Sequence, residues 1–376
     1  MKAHNIFKTI IYTIKTIIYT KGIKLKRHSH LYEKIYDIDN IIMAHHEARK
    51  GKSHYRGVKK VNKNEIGYCQ KISNMLKDKT YIIDENSYQY MSIIDKGKQR
   101  DIYKLPYYPH RIIQWAIMLQ LEPIFKKMFI SDTYASIKGR GIHDALRKIE
   151  NVVDKNENIY CLKLDIQKYY PSIDNKILYK MIEDKFKDKE LLKLLEDIIF
   201  SLGDKGQPIG SLLSQYLGNF YLTKFDHWVK EELRIKHYYR YCDDMVILLN
   251  DKDELHNIRC KIDKYLKEEL NLKLKENYQV FPVNIRGIDF LGYRIYPHFT
   301  LLRKRNAIKM KKRIIKIKKY NIINYSAFCS INSFMGWLKH CDSYNFIIKY
   351  FVDFNNKLFC SYNGDIERIN IKIWWR

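Results

Sequence analysis

The chain has 376 residues, 46% of them hydrophobic and 30% charged, which excludes a disordered chain and leaves room for two or three domains. Its 69 Lys and Arg against 42 Asp and Glu give a net charge of +27, an excess that points to an anionic partner, nucleic acid or an acidic membrane surface, rather than to a fold. Part of that excess follows from the Ile-, Lys-, Asn- and Tyr-rich composition that AT-rich coding produces. Seven cysteines lie scattered at 69, 161, 242, 260, 329, 341 and 360 without a CxxC pair, so free thiols in a reducing cytoplasm are expected.

Residues 1–30 carry seven Lys or Arg and no acid. Lys8, Lys15 and Lys21 interrupt their apolar runs, so neither a membrane span nor a signal peptide is expected there, only a basic amphipathic extension. The spacing of Ile41, Met43, Ala44 and Ala48 predicts a helix with Asp39 or Asn40 as its cap and Gly51 as its stop. A polar helical stretch to about Lys79 follows. Tyr81-Ile82-Ile83 and Tyr88–Ile94 read as strands, with a basic turn, Lys96–Arg100, after the second. Pro106–Arg111 introduces a long helix to about Met128. Beyond it, Gly139-Arg140-Gly141 would let backbone approach a ligand or strand closely.

Tyr160–Ile166 is a strong strand that ends on Asp165. Helical periodicity covers roughly 175–186 and 189–202, and the Gly206–Gln215 loop opens a helix to about Leu233. Such a helix start offers N–H groups and a positive dipole end to an anion or a base. Next come two aromatic-rich runs, Tyr238–Tyr241 and Met245–Leu249, with Cys242, Asp243 and Asp244 at the tip of the hairpin they should form. An isolated Asp-Asp pair at a turn is ordinarily just solvated. Leu255, Ile258, Ile262, Leu266 and Leu270 mark an amphipathic helix, Tyr278–Phe281 a strand and Gly287–Tyr296 a further hairpin arm. From 160 to 283 the order is therefore that of a split βαβ, ferredoxin-like sheet. Residues 301–320 hold ten Lys or Arg and no acid, with Ile308, Ile314, Ile315 and Ile317 interleaved, so a helix there should bury one face and offer a basic one. A second helical block covers about Ser330–Leu358.

In a split βαβ sheet the first strand and the central hairpin lie side by side, which would bring Asp165 and Asp243 together. Two metal ions about 3.5–4 Å apart, held by carboxylates, can activate a hydroxyl and stabilise a leaving pyrophosphate. Mg²⁺ suits such a site because it takes oxygen ligands and keeps substrate phosphates in its shell.

The chain resembles reverse transcriptases from about Leu31 to Asn345. The Tyr-X-Asp-Asp box of that family is matched by Tyr241-Cys242-Asp243-Asp244, and Asp165 resembles its first catalytic acid. The resemblance implies a right-hand α+β polymerase fold with fingers, a ferredoxin-like palm and a helical thumb. The expected division is a basic extension at 1–30, fingers with part of the palm at 31–159, palm at 160–298 with inserted helices at 175–235, and thumb and tail at 299–376. It implies two Mg²⁺ ions, with Mn²⁺ as a substitute, on Asp165, Ile166, Asp243 and Asp244. Lys275 matches the lysine that protonates pyrophosphate, and Tyr170 the gate that rejects a ribose 2′-OH. Lys98, Arg100, Ile209, Gly210 and Gln215 join Tyr170 as nucleotide contacts. Arg111, Arg140, Ser214, Phe290, Gly292, Lys304, Lys311 and Lys312 fall to template and primer, with Phe290-Leu291-Gly292 as the primer-grip hairpin.

Group II intron-type enzymes carry Gln-Gly-X-X-X-Ser-Pro, where this chain has Ile209-Gly210-Ser211-Leu212-Leu213-Ser214-Gln215. That form, with Gly287–Ile295, Leu302-Arg303-Lys304 and Gly336–His340, is similar to diversity-generating retroelement enzymes, which misincorporate opposite template adenine. The partners implied are an RNA template, a primer, dNTPs, a structured noncoding RNA and a separate accessory protein, with no membrane. The alternatives are a defence-associated reverse transcriptase with a dedicated noncoding RNA, or a catalytically silent RNA-binding protein. The latter is disfavoured by the acids, Tyr170 and Lys275. Trp374-Trp375-Arg376 has no assigned role.

Overall fold

The computed structural model describes residues 27–95, 97–156, 158–320, 322–360 and 366–368. Most of the basic extension and the Trp374-Trp375-Arg376 end lie outside these residues. The described parts of the chain form two units. The first is drawn from Met1–Phe129 and Lys168–Thr223, the second from Ile130–Gln167 and Lys224–Arg376.

The first unit is mostly helical. Its helix Ile38–Arg49 is capped by Asp37, whose carboxylate accepts from the backbone N–H groups of Asp39 and Asn40. The cap is therefore two or three residues earlier than the sequence suggests. Ile41, Ala44 and Ala48 are buried, and the helix packs on the apolar helix Ile112–Met128. Asn40 is itself buried, donating to the carbonyls of Ile35 and Ala116. Two strands, β1 (Gln89–Asp95) and β2 (Lys98–Lys104), pair antiparallel with Tyr90 opposite Tyr103. Tyr81-Ile82-Ile83 is not a strand. It has no ladder partner; Tyr81 instead hydrogen-bonds His110 at 2.8 Å, and Ile82 is left 76% exposed.

The second unit is built on four antiparallel strands, β3 (Tyr160–Asp165), β4 (Tyr238–Tyr241), β5 (Asp244–Leu249) and β6 (Gln279–Pro282). Their spatial order is β4-β5-β3-β6. With the helix Lys252–Leu270 packed against β3, β5 and β6, this is the ferredoxin-like arrangement the order of elements predicts. Asp244 opens β5 rather than sitting in the turn: it pairs with Tyr241 on one side and Asp165 on the other. The reversal is left to Cys242, in the left-handed region at φ 58°, and Asp243.

A second sheet follows, β7 (Ile288–Phe290), β8 (Tyr293–Tyr296) and β9 (Phe299–Leu302). After it come the helices Lys304–Lys318, Tyr325–Leu338 and Tyr344–Phe351. One apolar core joins these parts of the unit: Cys161, Val246 and Leu248 from the first sheet, Phe290, Tyr293 and Ile295 from the second, and Ile314, Ile331, Leu338 and Phe351 from the helices. Removal of this apolar surface from water is the main force holding them together. Ile308 and Ile315 do not join the buried face expected of them, each remaining 44% exposed; Met310, Ile314 and Ile317 form it instead.

Candidate active site

Three carboxylates gather at one end of the first sheet. Asp165 and Asp244 are directly opposite in the β3–β5 ladder, so their side chains leave the same face. The Ile166 N–H donates to the Asp243 carbonyl at 3.3 Å, which draws the turn onto the end of β3. Two like charges this close resist ionisation. Burial, then the Asp165 charge, pushes the Asp243 carboxyl above its ordinary range. Burial and the charges of Asp165 and Asp243 push Asp244 up to about 7, although Lys163 and Arg303 pull the other way. The Asp244 side chain is 31% exposed, yet its Oδ1, like Oδ1 of Asp165, is shielded from solvent and has no hydrogen-bond partner among the described residues.

Two lysines face these acids. Lys275 Nζ donates to Asp165 Oδ2, and Lys163 Nζ stands 3.7 Å from Asp244 Oδ2. The backbone explains the first. The segment 273–275 runs beside the end of β3, with the Gln167 N–H on the Lys273 carbonyl at 2.8 Å and the Lys275 N–H on the Asp165 carbonyl at 2.9 Å. Lys275, assigned to pyrophosphate by sequence, thus lies on a carboxylate.

Behind the turn sits a buried ion pair that sequence reading missed. Arg240 and Asp226 are both fully buried, bonded Nε to Oδ1 at 2.8 Å and Nη2 to Oδ2 at 2.5 Å. Tyr238 Oη and Thr133 Oγ1 also donate to Asp226, at 2.7 and 3.1 Å. The guanidinium also reaches forward, Nη1 donating to the Cys242 carbonyl at 2.8 Å. Arg240 therefore holds the turn that carries Asp243. The sequence gives no spacing signal that a basic residue in Tyr-Tyr-Arg-Tyr should be buried, or that its partner lies 14 residues upstream.

Unpaired, shielded carboxylate oxygens beside a mutually repelling carboxylate are what hard divalent cations relieve, so the residues present fit Mg²⁺. Among the described residues, no group of three or more His, Cys, Asp or Glu is arranged to hold a metal by itself. This suits an ion that takes only one or two protein carboxylates and completes its shell from substrate phosphates.

The other predicted site residues divide between the units. In the first, Arg111, Ile209 and Gly210 do come together, lining a cavity of about 110 Å³ with Lys52, Tyr103 and Trp115. Gly210 needs its missing side chain, with φ at +112°. Arg111 Nε and Trp115 Nε1 are shielded there without a hydrogen-bond partner. Ser214 is buried within the helix Leu212–Tyr221 and so does not present itself to a strand of nucleic acid, while Gln215 is half-buried. The Tyr170 ring lies against that helix: a Cβ added to Gly218 would come within 3.0 Å of Tyr170 Cε1. Arg100 is exposed on β2, and Lys98 lies on the same strand.

In the second unit, half-buried Arg140 donates through Nη1 to the Ile130 carbonyl at 2.8 Å, which ties the side chain to its own loop. Phe290 is fully buried and cannot touch a ligand. Gly292 is needed for packing, since a Cβ there would lie 2.6 Å from Trp337. Both therefore shape the β7–β8 turn from within. Lys304, Lys311 and Lys312 are exposed along the helix Lys304–Lys318.

A ferredoxin-like sheet with paired acids at its end and a helical extension beyond it defines a right-hand polymerase. Residues 71–295 match the reverse transcriptase (RNA-dependent DNA polymerase) family, and the chain belongs to that family. Among curated proteins it is 24% identical over 275 residues to Protein YkfC of Escherichia coli, covering 61% of this chain and 70% of that one. It is 23% identical over 317 residues to the group II intron-encoded protein LtrA of Lactococcus lactis, covering 65% of this chain and 52% of LtrA. It is 29% identical over 146 residues to nuclear intron maturase 4 of Arabidopsis thaliana, covering 36% of this chain and 18% of the maturase. Among solved structures, apo telomerase from Candida tropicalis aligns with a TM-score of 0.41 at 13% identity, over 56% of this chain and 47% of that one. No helix among the described residues is long and apolar enough to cross a membrane.

Proposed function

We propose that the protein extends a primer with dNTPs on an RNA template, and that it does so in an error-prone manner within a diversity-generating retroelement. The observation that carries the first part is the meeting of Asp165, Asp243 and Asp244 at one sheet end, with shielded, unpaired oxygens on two of them. On this reading 31–159 are fingers with part of the palm, 160–298 palm and 299–376 thumb and tail. Bound at the acids, two Mg²⁺ ions would supply activation of the primer 3′-hydroxyl and stabilisation of the leaving pyrophosphate. The chain's own residues do the rest. Asp165 and Asp243 hold the charge that draws the ions in. Lys275, on Asp165, neutralises that acid until the nucleotide arrives and then offers its proton to pyrophosphate. Tyr170, set by Gly218, rejects the 2′-OH, and Arg111 with the Ile209-Gly210 wall holds template against the nucleotide. Lys304, Lys311 and Lys312 follow the duplex.

The retroelement part rests on Ile209. Where related enzymes place a glutamine, this apolar side chain removes a polar constraint on the nucleotide, so mismatches are discriminated less. The similarity to the group II intron-encoded protein LtrA and to an intron maturase supports a structured RNA as a partner; on this reading a separate accessory protein supplies targeting. The defence-associated reading differs in lacking a neighbouring template and variable repeat.

The test is primer extension on an RNA template with dNTPs and Mg²⁺, followed by sequencing of the product. Extension by wild type, its loss by a factor of about 10³ or more in Asp243→Ala, and errors concentrated at template adenine are expected. Extension that survives Asp243→Ala would overturn the polymerase site. An adenine error frequency unchanged by Ile209→Gln would overturn the role of Ile209.

A further inference from the structure

We propose that Lys163 is a positioning residue that locks the β7–β8 hairpin, and through it the primer end, to the catalytic strand; this rests on the polymerase reading above. Lys163 lies in β3 two residues before Asp165, so the two side chains leave the same face. It is only 22% exposed. Its ammonium has three donors and no acceptor. One direction is taken by the Asp244 carboxylate, 3.7 Å away, and another donates to the backbone carbonyl of Asp289 in β7, 126 residues further along the chain. Asp289 in turn forms an ion pair from Oδ1 to Arg303 Nε, and the Arg303 N–H donates to the Gly292 carbonyl at 3.0 Å. Asn306, in the first turn of the helix Lys304–Lys318, donates to the same carbonyl at 3.2 Å. A polar chain therefore runs from a catalytic acid, through Lys163, to the hairpin and the basic helix.

The two sheets of this unit share no ladder, β3 and β7 belonging to separate ones. They are also joined by the apolar core around Cys161, Ile288 and Phe290 and, at the far end of β7, by the short helix Val283–Arg286, whose Arg286 carbonyl accepts from Arg294 Nε at 2.9 Å. Apolar burial is non-directional and sets a distance without fixing a register. The Lys163 hydrogen bond is directional, and it ends on the backbone of the hairpin rather than on a mobile side chain. A shift of the primer 3′-hydroxyl of about 1 Å is enough to cost about 10²-fold in rate, so the register of this hairpin is worth fixing.

The test compares wild type with Lys163→Met, which keeps the aliphatic stem, and Lys163→Arg, which keeps the charge and the donors. Hydrogen exchange at the amides of 288–296 should quicken at least tenfold in Lys163→Met and be largely restored in Lys163→Arg. Equilibrium binding of primer–template should stay within about twofold, because the basic helix is untouched. The single-turnover rate of extension should fall tenfold or more and not recover when Mg²⁺ is raised. Unchanged exchange in the hairpin would overturn the proposal, and so would a rate restored by Mg²⁺, which would make Lys163 a counter-ion alone. The exchange readout needs no turnover, so an inactive wild type would sink the polymerase reading while leaving this one to be judged separately. Lys163→Gln, too short to reach Asp289, serves the same comparison if Lys163→Met does not fold.

Discussion

At the scale of single residues, the site is a balance of repulsion and support. Asp226 and Arg240 form a fully buried pair that is bonded further by Tyr238, Thr133 and the Cys242 carbonyl. Breaking one half of such a pair costs about 3–5 kcal/mol, because it strands the other charge in a low-dielectric interior. Asp226→Asn should therefore lower the melting temperature by several degrees, as read by calorimetry. Replacing both, Asp226→Leu with Arg240→Met, should recover most of that stability without recovering extension, since nothing then grips the Cys242 carbonyl. Recovery of both would show the pair to be scaffolding with no bearing on the turn.

The carboxylates give a second residue-scale prediction. Asp243 and Asp244 are both shifted upward, Asp244 to about 7. The folded protein thus holds protons that the unfolded chain, with carboxyls near 4, releases. The stability they contribute is present at low pH and lost as pH rises through the folded values. In EDTA, the melting temperature should fall between about pH 5 and pH 8, and Mg²⁺ should raise it more at the upper end. Asp244→Asn should flatten the profile. A flat profile in the wild type would show that neither burial nor repulsion holds these carboxyls protonated.

At the scale of elements, the helix Lys304–Lys318 shows how pattern and packing diverge. Its basic character was legible in the sequence, but which isoleucines it buries was not. Met310, Ile314 and Ile317 sit on the core face, leaving Ile308 and Ile315 outside among Lys304, Lys311 and Lys312. Each lysine that meets a phosphate releases a counterion, and log K falls with log salt by about 0.7–0.9 per contact. Lys311→Glu with Lys312→Glu should weaken primer–template binding irrespective of sequence and flatten the salt slope by about 1.4–1.8. An unchanged slope in a salt titration would remove this helix from the duplex. The hairpin gives the complementary lesson. Phe290 and Gly292 were legible as a motif, but what each contributes inside the turn was not. The phenyl ring is core and the glycine makes room for Trp337, so the motif shapes a turn from within.

At the scale of the whole molecule, a charge of +27 dominates encounter with nucleic acid. Non-specific binding to an unrelated single strand should weaken by about 10³–10⁵ between 50 and 200 mM salt if 6–10 phosphates are met. Fluorescence anisotropy with a random oligonucleotide measures this directly, and an affinity indifferent to salt would mean that the excess charge is spent elsewhere.

The sequence by itself determined the family, the ferredoxin-like order of strands and the three acids. Those signals are local: strands with short periods, Asp at strand ends and the Tyr-X-Asp-Asp box. Tertiary structure alone decided that Asp244 belongs to a strand and faces Asp165 across a ladder, that Lys275 lies on Asp165, and that Arg240 with Asp226 braces the turn. It also decided that Arg140 and Ser214 are taken up by the fold. The ion pairs Arg240–Asp226 and Lys275–Asp165 join residues 14 and 110 positions apart, and a pairing between distant charges leaves no periodicity for the chain to display. The three acids meet at one sheet end, and the charges packed behind and beside them hold them in place.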